Sequence, residues 1–197
     1  TVIENKKLGI KVGLIVVPKF YRDFSGKDNE NCSEHVREEL NRLKRENIDG
    51  VILDLRTNGG GALEDARQMS GLFIKEGPIV QIRDHTGKIE SLEDEDSYVM
   101  YKGPLIVLIN RFSASASEIV AAALQDYRRA IIVGGDFSHG KGTVQAVLSL
   151  DQAPLTSFYG KKLGALKVTI QKFYRVTGAS TQYKGVTPDI IIADPLS

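Results

Sequence analysis

Four short stretches of the chain are apolar without a polar stripe, and each has the length of a strand rather than of a helix. Residues 11–17, closed by Pro18 and rich in branched side chains, predict a buried strand, and residues 51–55, 104–110 and 130–134 repeat the pattern. Between the first two, Val36, Leu40 and Leu43 recur at i, i+4 and i+7 among charged residues. That period predicts an amphipathic helix over 33–47 lying on a core, with Ser33 as its N-cap. A helix is expected over 63–74, and an alanine-rich one reaches to about residue 125. Residues 23–31 read as a loop, and 79–83 with 88–90 as a hairpin flanking His85, Thr86 and Gly87, outside the layer that carries the chemistry considered below. Glu93 to Asp96 read as an acidic surface loop. Residues 143–150 are extended and apolar, a polar segment runs to Leu163, and alternating Leu166, Val168 and Ile170 extend the sheet before a last short strand at 190–192. Strand and helix alternate without an internal repeat, so the expected architecture is α/β with a mixed sheet.

Composition narrows the function classes. At 197 residues, with 42% hydrophobic and 26% charged, the chain suffices for a single domain with a substantial core. The 26 basic and 25 acidic side chains nearly cancel, which gives no argument for nucleic acid or an acidic membrane surface as partner. Cys32 is the only cysteine, so an internal disulfide and a cysteine zinc site are excluded. No apolar run approaches the roughly 18 residues of a membrane span. No histidine and carboxylate cluster has zinc spacing, and neither metal nor organic cofactor is expected.

The candidate chemistry lies in Ser113-Ala-Ser-Ala-Ser-Glu118 followed by Gly140-Lys-Gly-Thr-Val-Gln145. A serine hydroxyl needs a base at neutral pH, and a lysine serves when burial or neighbouring cations make its neutral form accessible. Gln145 stands where it would orient the amine. Ser115 to Glu118 also spells a capping box, which alone accounts for the motif structurally, and Lys141 with the glycine run 59–61 turns the balance toward a nucleophile. Ser113 and Ser117 are chemically equivalent candidates. Residues 135–142 nearly spell a phosphate-binding loop, but Gly142 stands where the metal-binding Ser or Thr belongs and an apolar extended segment follows. His139 with Asp126 offers a histidine triad as another alternative, while lone histidines are usually structural. Asp54 and Arg56 share a strand face and read as a structural ion pair.

These blocks, with residues 51–61, 70–74, 170–175 and 184–189 in the same order, resemble the catalytic core of the carboxy-terminal processing, or tail-specific, proteases of the Prc/Tsp type. The resemblance implies a mixed-sheet serine-protease core related to the crotonase/ClpP spiral fold, with a Ser/Lys dyad and no cofactor. It implies Ser115 as nucleophile, Lys141 as general base, Gln145 as the lysine-orienting amide and Asp126 as a supporting carboxylate. Backbone N–H groups of Gly60, Gly61 and Ala116 would be the oxyanion donors. Lys141 stands one residue farther from Ser115 than is usual in that family, the extra residue falling within 134–139. The resemblance further implies protein or peptide substrates with nonpolar C-termini, an adaptor protein, and a periplasmic or otherwise extracytoplasmic location. Relatives carry a PDZ domain upstream, and residues 1–197 are expected to be a single protease core without it. The competing expectation is a latent peptide-binding or assembly core.

Overall fold

The computed structural model describes residues 1–23, 30–152 and 163–194, in which the apolar runs form the centre of one sheet. Strands β2 (Ile10–Val16), β3 (Gly50–Asp54), β6 (Leu105–Ile109) and β7 (Ile131–Gly134) lie side by side and parallel. Strand β1 (Val2–Asn5) adds antiparallel to β2 at one edge, and β10 (Ile190–Ile191) adds parallel to β7 at the other. The order β1-β2-β3-β6-β7-β10 is therefore a mixed sheet, as the pattern predicts.

Helices α1 (Cys32–Arg45), α2 (Leu63–Gly71) and α3 (Ala116–Asp126) lie between successive parallel strands in the chain. Right-handed crossovers in one direction across the sheet place them on one face. Burial follows: Leu105, Val107 and Ile109 are buried, whereas the intervening Ile106 and Leu108 are only half-buried. The expectation of buried strands thus holds for the helix-covered face alone.

A second sheet, order β5-β4-β9-β8, is antiparallel throughout and packs against α2 and α3. It comprises β4 (Gly77–Arg83), β5 (Ile89–Asp94), β8 (Thr143–Ser149) and β9 (Ala165–Tyr174). The expected 79–90 hairpin is real but longer. It shares a sheet with β8, so it does not lie outside the chemistry-bearing layer. The supposed acidic surface loop is corrected at Asp94, which ends β5 as a buried carboxylate against Gly71.

The α1 cap also differs from the expectation. Asn31 is the N-cap, its Oδ1 accepting the Glu34 N–H at 2.9 Å, while Ser33 lies inside the helix with its hydroxyl within hydrogen-bonding distance of Asn31 Oδ1, Gln68 Oε1 and Asp65 Oδ1. Helix α2 stops at Gly71 rather than Ile74, its last turn loosening where Phe73 and Ile74 are drawn into the core. Cys32 is buried, and its thiol is pushed up to about 12 by burial and then by the neighbouring Asp65 charge, which keeps it protonated and unreactive. The expected Asp54–Arg56 ion pair forms at 2.6 Å. Most of the loop expected over 23–31 and of the polar segment before Leu163 lies outside the described residues.

Candidate active site

Parallel strands leave their C-terminal ends pointing the same way, and the loops after β3 and β6 meet there. Asn58, fully buried after β3, ties them together. Its amide donates to Val17 O at 2.7 Å, its Oδ1 accepts the Gly60 N–H at 2.8 Å, and its carbonyl accepts the Ala114 N–H at 3.0 Å. Gly60 (φ 94°) and Gly61 (φ 147°) both lie where side chains are disfavoured. A Cβ on Gly60 would fall 2.8 Å from Ser115 Cβ and 3.0 Å from Ala116 N, and one on Gly61 would fall 1.8 Å from Phe20 O. The glycine run therefore lets the loop backbone reach the serine turn.

The structure separates the three serines. Ser113 is buried, its hydroxyl donating to Leu55 O at 2.8 Å and accepting the Asn110 N–H at 2.9 Å. Ser117 is buried and donates to Asn58 O at 2.9 Å. Ser115, only half-buried, lines a cleft of about 410 Å³ together with Gly60, Gly61, Ala116, Lys141 and Gln145. Its backbone has φ 56° and ψ −112°, a strained conformation of the kind that presents a nucleophile at a sharp turn.

Of the three candidate oxyanion donors, the Gly60 N–H is already committed to Asn58. The Gly61 and Ala116 N–H groups have no acceptor among the described residues. The Ala116 N–H opens α3, where first-turn donors are unpaired and the helix dipole favours an anion.

Glu118, read from the sequence only as the returning arm of a capping box, carries more of the site. It is fully buried, and its Oε2 accepts the Ser115 N–H at 2.8 Å and the Lys141 N–H at 2.9 Å. Its Oε1 accepts the Ser138 hydroxyl at 2.6 Å and the Gly140 N–H at 2.7 Å. One carboxylate thus fastens the loop of the proposed base to the turn of the proposed nucleophile. Lys141 is half-buried; burial and the Lys167 ammonium pull it below the ordinary lysine value, with the Glu118 charge opposing.

Residues 143–149 form a strand, so the glycine loop before them does not open into the helix a phosphate-binding loop needs. Between Val144 and Gln145 the register with β9 slips by one residue: Val144 pairs with Gln171 and Gln145 with Thr169, leaving Ile170 as the extra residue of a bulge in β9. Val144 and Gln145 both line the cleft beside this bulge. Phe173 and Lys167, both from β9, line it too, with Leu63, Ile119, Pro18 and Lys19.

Asp126 is not brought to the cleft. It closes an 11-residue helix, about 16 Å long, and its carboxylate is held by Arg175 in a bidentate pair at 2.5 and 3.0 Å. His139 is exposed and absent from the cleft lining. Among the described residues no His, Cys, Asp and Glu group is arranged to hold a metal ion, and no helix is long and apolar enough to cross a membrane.

Sequence reasoning missed Asn58, Lys19 and Lys167 as site residues. Asn58 had a local signal in the Asn-Gly step after a strand; the lysines had none, because only tertiary packing brings them together.

Residues 11–192 match the model of the family described as Peptidase family S41. The chain is 48% identical over 192 residues to a tail-specific protease of Haemophilus influenzae, covering 94% of this chain and 25% of that protein. It is 37% identical over 181 residues to a carboxy-terminal-processing protease of Bartonella bacilliformis, covering 88% and 38%. Among solved structures it is similar to a photosystem II D1 C-terminal processing protease, with a TM-score of 0.72 and 28% identity over 92% of this chain and 42% of that one.

Proposed function

Since the chain belongs to peptidase family S41, we propose that it is the catalytic core of a carboxy-terminal processing serine endopeptidase working through a Ser115/Lys141 dyad. The observation that carries this reading is the sorting of the three serines. Ser113 and Ser117 are spent on buried hydrogen bonds, while Ser115 opens into the cleft that Lys141 lines.

In this mechanism Ser115 Oγ attacks a peptide carbonyl carbon and neutral Lys141 Nζ takes the hydroxyl proton. The Ala116 and Gly61 N–H groups receive the developing oxyanion, and Gly60 shapes the loop that presents them. As the C–N bond breaks, the lysine returns the proton to the leaving amine. Lys141 then activates water to hydrolyse the serine ester. Gln145 orients the lysine amine from the adjacent strand. Asp126, expected as a supporting carboxylate, acts at a distance by holding Arg175.

The substrates are proteins or peptides with nonpolar C-termini, delivered by an adaptor in a periplasmic or other extracytoplasmic space. Strand β8 closes one edge of its sheet beside the cleft, a place for an extended peptide to pair through its main chain. The chain spans a quarter to about two fifths of the two curated relatives' length. In this reading it supplies the chemistry, as one core domain, and tail capture belongs to a PDZ domain.

The test is cleavage of an unfolded protein with a nonpolar free C-terminus, followed by mass spectrometry of the products. Ser115→Ala and Lys141→Ala should each lower kcat/KM by at least ~10³-fold while remaining folded. Unchanged cleavage by either variant overturns the dyad. A folded parent that neither cleaves nor reacts with a serine-directed probe points instead to a latent peptide-binding core.

A further inference from the structure

The wall chemistry of the cleft is one-sided. Besides Lys141, whose neutral form the mechanism requires, the cleft is lined by Lys19 and Lys167 and, among the described residues, by no carboxylate. Lys19 lies in the connection that follows β2, just after Pro18, and Lys167 stands on β9 opposite Val147, so the two lysines come from distant parts of the fold. Both residues are exposed, and neither forms an ion pair with a described residue. Glu118, the carboxylate beside the site, is fully buried and its two oxygens are taken by four donors. The molecule as a whole carries a net charge of only +1, so this positive character is local.

Lys167 and Phe173 come from the same strand, β9, and both line the cleft. The cleft thus combines the two lysines with the apolar surface of Phe173, Ile119 and Leu63. A peptide strand lying there meets apolar surface at the scissile bond and a cation on either wall.

We propose that Lys19 and Lys167 form a carboxylate-recognising part of the cleft, so that the preferred substrate is a peptide presenting an anionic group near the bond to be cut. This rests on the peptidase reading for its meaning in catalysis, but the recognition itself is a binding property. The carboxylate is either an Asp or Glu side chain or the free α-carboxylate of the substrate chain. Exposed ion pairs are individually weak and screened by salt, so the expected preference is modest, about fivefold in Kd per carboxylate at low ionic strength.

The experiment uses the Ser115→Ala protein, which holds peptide without consuming it, and fluorescence anisotropy with a set of labelled extended peptides of one apolar core sequence. One is neutral with an amidated C-terminus, a second carries an internal Asp at positions scanned along the chain, and a third has only a free C-terminal carboxylate. Tighter binding of the second or third than of the first, lost at high salt and in the Lys19→Gln/Lys167→Gln double variant, is the expected result. Which of the two gains identifies the source of the carboxylate. Equal Kd values across the set, or a preference that survives in the double variant, overturn the proposal. Cleavage of the neutral peptide by the parent is scored separately: absent cleavage with a retained Kd preference overturns the peptidase reading and leaves the carboxylate site standing.

Discussion

At the scale of single residues, Lys141 and Glu118 are coupled, the carboxylate accepting the Lys141 N–H and its charge acting on the lysine amine. Lys141 is held below its ordinary value by burial first and by Lys167 second. In the unfolded chain it regains that proton affinity, so between the lowered folded value and the ordinary one the unfolded state binds more protons and stability rises with pH. At neutral pH the charged lysine is therefore a net cost to folding. Lys141→Met should abolish cleavage and raise Tm at pH 7, with the gain shrinking as pH climbs toward the ordinary lysine range. Calorimetry from pH 7 to 10 checks it, and a lower Tm at pH 7 would contradict the cause assigned. Glu118→Gln replaces a carboxylate accepting four donors by a group with one acceptor oxygen and an NH₂ facing the remaining donors. A loss of about 3 kcal/mol of stability and on the order of 10²-fold in kcat is expected. Because the Glu118 charge opposes the lowering of Lys141, the residual activity should show its acid limb at lower pH, and a pH–rate profile reads that shift.

At the scale of elements, the glycine run shows how a local pattern acquires meaning from what approaches it. From the sequence, 59–61 is a turn after a strand. In the fold, Gly61 has no room for a side chain because Phe20 O lies where its Cβ would go, and Gly60 abuts the Ser115 turn. Gly61→Ala should cost about 3 kcal/mol and most of the activity together, measured by urea unfolding and peptide cleavage. Gly59, with no atom within 4 Å of where a Cβ would stand and no positive φ, should accept alanine at a cost nearer ~1 kcal/mol or less. The bulge in β9 is the complementary case. No sequence period announces it, yet it sits opposite Val144 and Gln145, which both line the cleft. The α1 boundary differs by two residues for a simpler reason, since Asn31 and Ser33 are both good caps and the Ser33 hydroxyl is engaged among the Asn31, Gln68 and Asp65 side chains.

At the scale of the whole molecule, the site exists because two sheets are clamped across α3. Ser115 belongs to the start of that helix and Gln145, Lys167 and Phe173 to the second sheet, and the largely buried Arg175–Asp126 pair joins the helix's far end to the segment after β9. Asp126→Asn leaves the guanidinium without its charged partner, so stability should fall by about 3 kcal/mol, with activity falling in parallel as β9 loosens. Activity that disappears at unchanged Tm would instead assign Asp126 a part in the chemistry. The four apolar strands, the three helices, the serine and lysine motifs and the glycine turn were legible in the sequence, because hydrophobic period, β-branching and glycine act over a few residues. The proposal of Ser115 over Ser113 and Ser117 was reached there by resemblance, and the burial of the other two supports it. The division into two sheets, the burial of Asp94, the fourfold use of Glu118, the remote place of Asp126 and the lysine-lined walls were decided only by the tertiary structure. Each depends on which distant segments meet, and a linear pattern of polar and apolar residues carries no record of that.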